Sequence, residues 1–427
     1  MADPGQAFGV LGPLLFGLAA ALGSGLLIGL ERERNKKRGP HREPAGLRTF
    51  TLAAMGGALA QALNLPGLVP VGALAITALA AMAYLRSRDR DPGLTTEIAL
   101  VVTYLIGALC VTAPLLGSPA AVVMTALLAA RTRLHRFATQ VLREEELHDG
   151  LLLGALALVV LPLTPQQPLP WLAGMKANAL LGLMLLLLAL QAVGHVALRL
   201  AGPQAGLALS GLLSGLVSST ATIAAMGARA RAQPGLALAC AAGAVMSTCA
   251  TWLQAQLMLF AMAPQAALAV LPLTLLGMAL SGGLGALLAR RSRRLEPTSS
   301  AADPDGRRGP LRLREALLLT LMLSAVAVAV SWAREHFGAS GLYGAVALAA
   351  FADAHAPVAS LAGLQAAGSI GLRQLLWGLL LALACNSVTR SITAVVAGGA
   401  AFARTVIPAL MLPLLLATAL AAWLGPA

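Results

Sequence analysis

The chain reads VSSTAT at residues 217–222 and ADAHAP at residues 352–357, each near the middle of a long run of Gly, Ala, Leu and Val. In hydrocarbon, a run holding an Asp, a His and a Pro is costly and interrupts a helix, so it needs a reason. The two runs lie about 135 residues apart and similar segments follow each of them. Ser218-Ser219-Thr220 aligns with Asp353-Ala354-His355, and Ser247-Thr248 aligns with Asn386-Ser387. This is the expected layout of a repeated, broken-helix site in a secondary transporter.

Composition supports a membrane setting. Of 427 residues, 58% are hydrophobic and 11% charged, with a mean hydropathy of +0.80. A soluble domain carries about 25% charged residues. Apolar stretches of roughly 18–25 residues recur along the chain, the length that crosses a bilayer. The net charge of +13 does not point to nucleic acid. The basic residues cluster in short loops between apolar spans, and 4% aromatics offer little for base stacking. Cys110, Cys240, Cys249 and Cys385 fall inside predicted spans without a CxxC or zinc spacing, so they read as small packing residues. No signal peptide is evident at MADPGQAFGV.

Basic loops set the expected topology. The first span, about 8–30, is followed by ERERNKKRGPHRE, which belongs in the cytoplasm and puts the N-terminus outside. Five spans are expected up to residue 135, then a polar cytoplasmic connector at 136–149. A second membrane domain then covers 150–427, with repeats at about 173–290 and 313–425 joined by a basic cytoplasmic linker, 291–312. Arg229 and Arg231 follow the first polar run. They stay on the cytoplasmic side if the segment 206–227 dips in and turns back, and that choice makes the repeat inverted. The fold class expected is therefore all-α and polytopic, with about twelve transmembrane helices plus two broken or re-entrant segments.

Within that frame, GLLIGLERER at 25–34 and PAGLRTFTLAAMGGAL at 44–59 resemble the MgtC/SapB family of bacterial inner-membrane proteins over residues 8–135. The remainder, with GLVSSTATIAAMGARA, ALAAFADAHAPVASLAGL and NSVTRSITAVVAGG, resembles the membrane domain of unknown function carried by that family's long members. The resemblance implies the inner membrane and divalent-cation physiology, with Mg²⁺ as a transported or regulatory ion. It implies either a transporter or a regulator that binds another transporter or an ATPase. One departure is visible: GLTTEIALVVTYLIGAL at 93–109 stands where short members carry an acidic, Gly-rich motif.

Two sets of residues are candidates for chemistry. Asp353 supplies charge and His355 a group that titrates near neutral pH, while Pro357 breaks the helix and frees backbone groups for a ligand. Ser218, Ser219, Thr220 and Thr222 supply hydroxyls from the partner run. Asn386, Thr389 and Arg390 sit in the next apolar span, with Asp353 the expected partner of Arg390. Thr248, Thr251 and Gln254 complete the lining. The second set is Glu31, Arg48 and Glu97 near one membrane face, where carboxylates suit a hard cation such as Mg²⁺. Asp353 and Glu97 are the metal candidates. The plain alternatives are small-residue helix packing for the Ser/Thr run and an interfacial Glu–Arg network for the second set. Gln191 and His195 read as lying near a helix end. No P-loop, nucleotide fingerprint, nucleophile elbow or zinc-protease motif occurs, so no enzyme and no resident cofactor are expected. The expected partners are the bilayer, a small inorganic ion, and a second copy of the chain or another membrane protein.

Overall fold

The computed structural model describes residues 4–34, 45–86, 94–169, 176–201, 206–295 and 313–425. Among them there is no β-strand beyond one isolated bridge, between Pro168 and Lys176. The helices are α1 (Pro4–Arg34), α2 (Leu47–Ala62), α3 (Leu68–Arg86), α4 (Thr95–Thr112), α5 (Pro114–Ala129), α6 (Arg131–Arg136), α7 (Glu144–Ala155), α8 (Leu161–Leu163), α9 (Ala177–Ala201), α10 (Gly206–Ala232), α11 (Ala237–Met262), α12 (Pro264–Leu295), α13 (Leu313–Ala352), α14 (His355–Ala366) and α15 (Leu372–Leu424). The chain divides into two compact units, Met1–Val141 and Leu142–Ala427. Part of the basic linker, 296–312, and part of the loop that follows α1, 35–44, lie outside the described residues.

In the first unit, α1 packs on α2 through GxxxG at Gly25 and Gly29. A side chain at Gly25 would meet the Cα of Thr51 at 2.8 Å, and one at Gly29 the Cα of Leu47 at 2.9 Å. The motif therefore serves a contact within the chain, where missing side chains let two backbones approach. Ile28, Phe50, Tyr104 and Cys110 form the core of this unit.

In the second unit, the two polar runs break their helices. Ser218 leaves the helical conformation (φ −162°, ψ 112°), and the chain does not continue straight past it. The hydroxyl of Thr222 donates to that of Ser214 at 3.0 Å, although eight residues of straight helix span about 12 Å. A side chain at Gly243 on α11 would meet both the carbonyl of Leu207 at 2.6 Å and the sulfur of Met226 at 3.1 Å. Those two residues would stand about 28 Å apart on one straight helix. So α10 is a hairpin whose arms, 206–217 and 219–232, both lie along α11. Gly211 and Gly215 make the close approach possible, since a side chain at either would strike the backbone of Gly243 or Ser247.

The same happens at the second run. Helix α13 turns at Gly338 (φ 62°, ψ −140°), a left-handed conformation that glycine adopts without steric penalty. Gly341 then lies against Ala333. The guanidinium of Arg334 donates to the carbonyl of Ser369, so the chain at 369, beyond α14, has come back beside the turn at 338. Segment 339–366 is therefore a second hairpin, with its tip at Asp353 and Ala354.

These hairpins sit at opposite ends of one helix. α15 breaks at Gly399 (φ 75°, ψ −179°), which leaves a first helix, 372–398, of about 40 Å. The open end of the first hairpin lies at its C-terminal end: Arg231 donates to the Val396 carbonyl at 2.9 Å, and Gly227 abuts Gly398. The open end of the second hairpin, at Ser369, lies at its N-terminal end. Both tips reach its middle.

Among the described residues nine stretches are long and apolar enough to cross a bilayer, or up to ten if a pair bent by 59° at Ala130 is taken as one span. The figure differs from the expected twelve for several reasons. α2 and α5 have 16 residues each, and α13 is divided at Gly338 and is not among the nine. Residues 372–424 register as one stretch although Gly399 divides them, and α10 is counted although it folds back at Ser218.

Candidate functional site

A cavity of about 210 Å³ lies where the tips meet. Val217, Ser218, Ser219 and Thr220 line it from the first hairpin, and Asp353 and His355 from the second. Asn386 and Arg390 come from α15, Leu187 and Gln191 from α9, and Met322 from α13. Thus seven of the twelve residues named for this site surround one space. Thr222, Thr248, Thr251, Gln254 and Thr389 are outside its lining.

The tips are built by helix capping. A broken helix exposes unpaired amides at the start of its second half and unpaired carbonyls at the end of its first. Ser218 accepts the amide of Ala221 at 3.3 Å. Asp353 Oδ2 accepts the amides of His355 at 3.0 Å and Ala356 at 3.1 Å. The aligned residues Ser218 and Asp353 thus do the same local work, and both are good N-cap residues. Neighbouring helices take the freed carbonyls. Gln254 donates to Leu216 at 2.9 Å, Asn386 to Ala350 at 3.3 Å and Thr389 to Phe351 at 2.9 Å. Thr389 thus holds the second tip against α15, and Thr222 bonds within the first hairpin, to Ser214 and the Ser218 carbonyl. Thr248 is buried, and its hydroxyl has no hydrogen-bond partner among the described residues.

His355 ties the two tips to each other. Its Nδ1 lies 2.7 Å from Asp353 Oδ1, and its Nε2 lies 3.2 Å from Gln254 Oε1. Gln254 also donates from Nε2 to the first tip, and that bond fixes its oxygen toward the ring. Both ring nitrogens thus face acceptors, a setting that only the doubly protonated ring fully satisfies. The pair is not sealed off: the side chains of Asp353 and His355 are 27% and 22% exposed.

Arg390 is 3% exposed and does not form the expected ion pair with Asp353. The carboxylate is already turned toward the amides and imidazole of its own helix start. Arg390 donates instead from Nη2 to Thr251 at 2.8 Å, whose hydroxyl lies 2.7 Å from that of Ser219. Among the described residues its buried Nε has no partner, and neither does Oδ1 of Asn386. Gln191, expected near a helix end, faces the cavity because α9 runs on for ten residues past it to Ala201. His195 lies one turn further and meets Glu146 at 3.9 Å, beside the closer Arg199–Glu146 pair at 2.6 Å.

The second candidate set lies in the first unit. Glu31 pairs with Arg32 at 3.6 Å, Glu33 accepts the amide of Leu47 at 3.2 Å, and Oε2 of Glu97 is buried without a hydrogen-bond partner among the described residues. Arg48 is exposed at the start of α2. Among the described residues no three His, Cys, Asp or Glu side chains cluster as metal ligands would.

Two family models match this chain. The model described as the MgtC family matches residues 18–137, and a domain of unknown function, DUF4010, matches residues 185–398, half of the chain. The chain belongs to the long-form MgtC family. Its DUF4010 domain contains both hairpins and the whole cavity lining, and its MgtC domain contains α2 to α5. Together with the apolar helices, this makes it a multi-pass membrane protein. No curated protein and no solved structure matches the chain.

Proposed function

We propose that this long-form MgtC protein is a secondary ion transporter of the bacterial inner membrane, and that its substrate passes through the cavity between the hairpin tips. The observation that carries this reading is the approach of two hairpins from opposite ends of helix 372–398, with polar tips meeting at its middle. Broken helices that meet near mid-membrane at a repeat interface are the usual substrate site of secondary transporters. On this reading the two halves of the DUF4010 domain are an inverted repeat. The hairpins are re-entrant, twelve helices cross, and both termini lie outside. Arg199, Arg229 and Arg231 then all face the cytoplasm, in line with the positive-inside rule. With no nucleotide motif in the sequence, transport is driven by an ion gradient or by a partner protein.

Mg²⁺, the cargo suggested by the family, fits this cavity poorly. Mg²⁺ takes an octahedral set of oxygens and is usually held by one or two carboxylates. The cavity offers one carboxylate, occupied by two amides and an imidazole, and an arginine stands beside it.

The rival reading is a regulator that binds another membrane protein. Purified chain in liposomes separates the two. Ion-exchange currents or tracer uptake above protein-free vesicles are expected for at least one ion of a panel of Mg²⁺, Na⁺, phosphate and small carboxylates. Silence across that panel, with each gradient imposed in turn, would favour the regulator.

A further inference from the structure

With His355 doubly protonated, the state that its two facing acceptors favour, the charges around the cavity do not balance. The ionisable side chains in its lining are Asp353, His355 and Arg390. In that state the imidazolium of His355, 2.7 Å away, is the ion-pair partner of Asp353, and no ion pair joins Asp353 to Arg390. Arg390 is left as a buried guanidinium with five N–H donors. Among the described residues only its Nη2 has a partner, a neutral hydroxyl. A buried charge without a counter-charge is strongly unfavourable unless something pairs with it. The other polar lining consists of the tip hydroxyls and the carboxamides of Gln191 and Asn386, which can donate to an anion but cannot offset a charge. About 210 Å³ corresponds to roughly seven waters at 30 Å³ each, room for a small ion with a partial hydration shell and too little for a lipid or a nucleotide.

We propose that this cavity binds a small oxyanion, a carboxylate or an inorganic oxyanion, with the guanidinium of Arg390 as its counter-charge. Guanidinium and oxyanion are matched in geometry, since two parallel N–H groups meet two oxygens. The hydroxyls of Ser218 and Thr220 supply further donors from the first hairpin, so the anion bridges that tip and α15. The inference rests on the cavity being the substrate site and deepens that reading by naming the substrate class.

The test is thermal unfolding of the full chain in detergent, titrated with sodium succinate, sodium phosphate, magnesium chloride and sodium chloride at matched ionic strength. A ligand that binds the folded state raises the midpoint with concentration. Succinate or phosphate is expected to raise it, and which of the two does so identifies the source of the oxyanion. Magnesium chloride is expected to match sodium chloride. Arg390→Gln should weaken the anion effect at least about tenfold, the scale of a lost charged hydrogen bond. Arg390→Lys, which keeps the charge but not the fork, should retain part of it. If Arg390→Gln is not monodisperse in detergent, the partial loss in Arg390→Lys makes the same point.

No shift with either anion, a shift with magnesium chloride alone, or an anion effect unchanged in both variants would overturn the inference. Because the melt reads binding, its failure is distinct from failure of transport. Anion binding without flux would overturn transport alone, and flux of a cation without anion binding would overturn this inference alone.

Discussion

Asp353→Asn, purified and reconstituted, is expected to fold and to lose transport by about 100-fold or more, equivalent to about 2.7 kcal/mol. Asparagine caps helices about as well as aspartate, so the amides of His355 and Ala356 keep an acceptor at the second tip. The charge that pairs with His355 is lost. Without it, the imidazole has no counter-charge in the cavity, and the bridge through Gln254 to the first tip loses its anchor. Unfolding stability should change by no more than about 1 kcal/mol. Asp353→Ala should lose the cap as well, and add about 1 kcal/mol of destabilisation to the same transport defect. Flux measured beside a thermal melt of each variant separates the two effects. Transport by Asp353→Asn at the wild-type rate would leave Asp353 as a helix cap only.

Gly211→Val should be the most damaging structural change among the small residues. A side chain at position 211 runs into the carbonyl and Cα of Gly243, backbone atoms that cannot rotate away. Overpacking commonly costs about 1–3 kcal/mol and occasionally more. Here the neighbour is rigid, so the cost should lie at the top of that range. Much less folded, monodisperse protein is expected from Gly211→Val, and Gly211→Ala should show a smaller fall in melting temperature. A wild-type melt for Gly211→Val would mean that the first arm of the hairpin does not lie on α11. Gly12, where a side chain would meet no neighbour within 4 Å among the described residues, provides a control for substitution as such.

The positions of the two polar runs were legible because hydrocarbon tolerates an Asp, a His or a cluster of hydroxyls only for a reason. The alignment of Ser218 with Asp353 was legible too, and both turn out to cap the second arm of a hairpin. The fold-back of α10 could be argued from Arg229 and Arg231, whose charge disfavours a full crossing. Partner choice was not legible. Arg390 and Asp353 make an obvious pair by charge, yet short-range capping and the adjacent imidazole capture the carboxylate, and Arg390 turns to Thr251. Nor does sequence fix where a helix ends when its flanks are as apolar as its middle. Gln191 reads as near an end for that reason, although α9 carries on past it. For Arg48, proximity to a membrane face says nothing about which side of α2 it occupies.

The central claim is that the two hairpins enter from opposite faces and meet at their tips. Two-sided cysteine labelling reads this directly. Gln233 follows the first hairpin and Ala367 follows the second, and both are exposed. Each would be changed to Cys in a chain whose own cysteines are replaced by Ser, then treated with a membrane-impermeant thiol reagent in right-side-out and inside-out vesicles. Position 233 should label only from the cytoplasmic side and position 367 only from the outside. Labelling of both positions from the same side would contradict the claim.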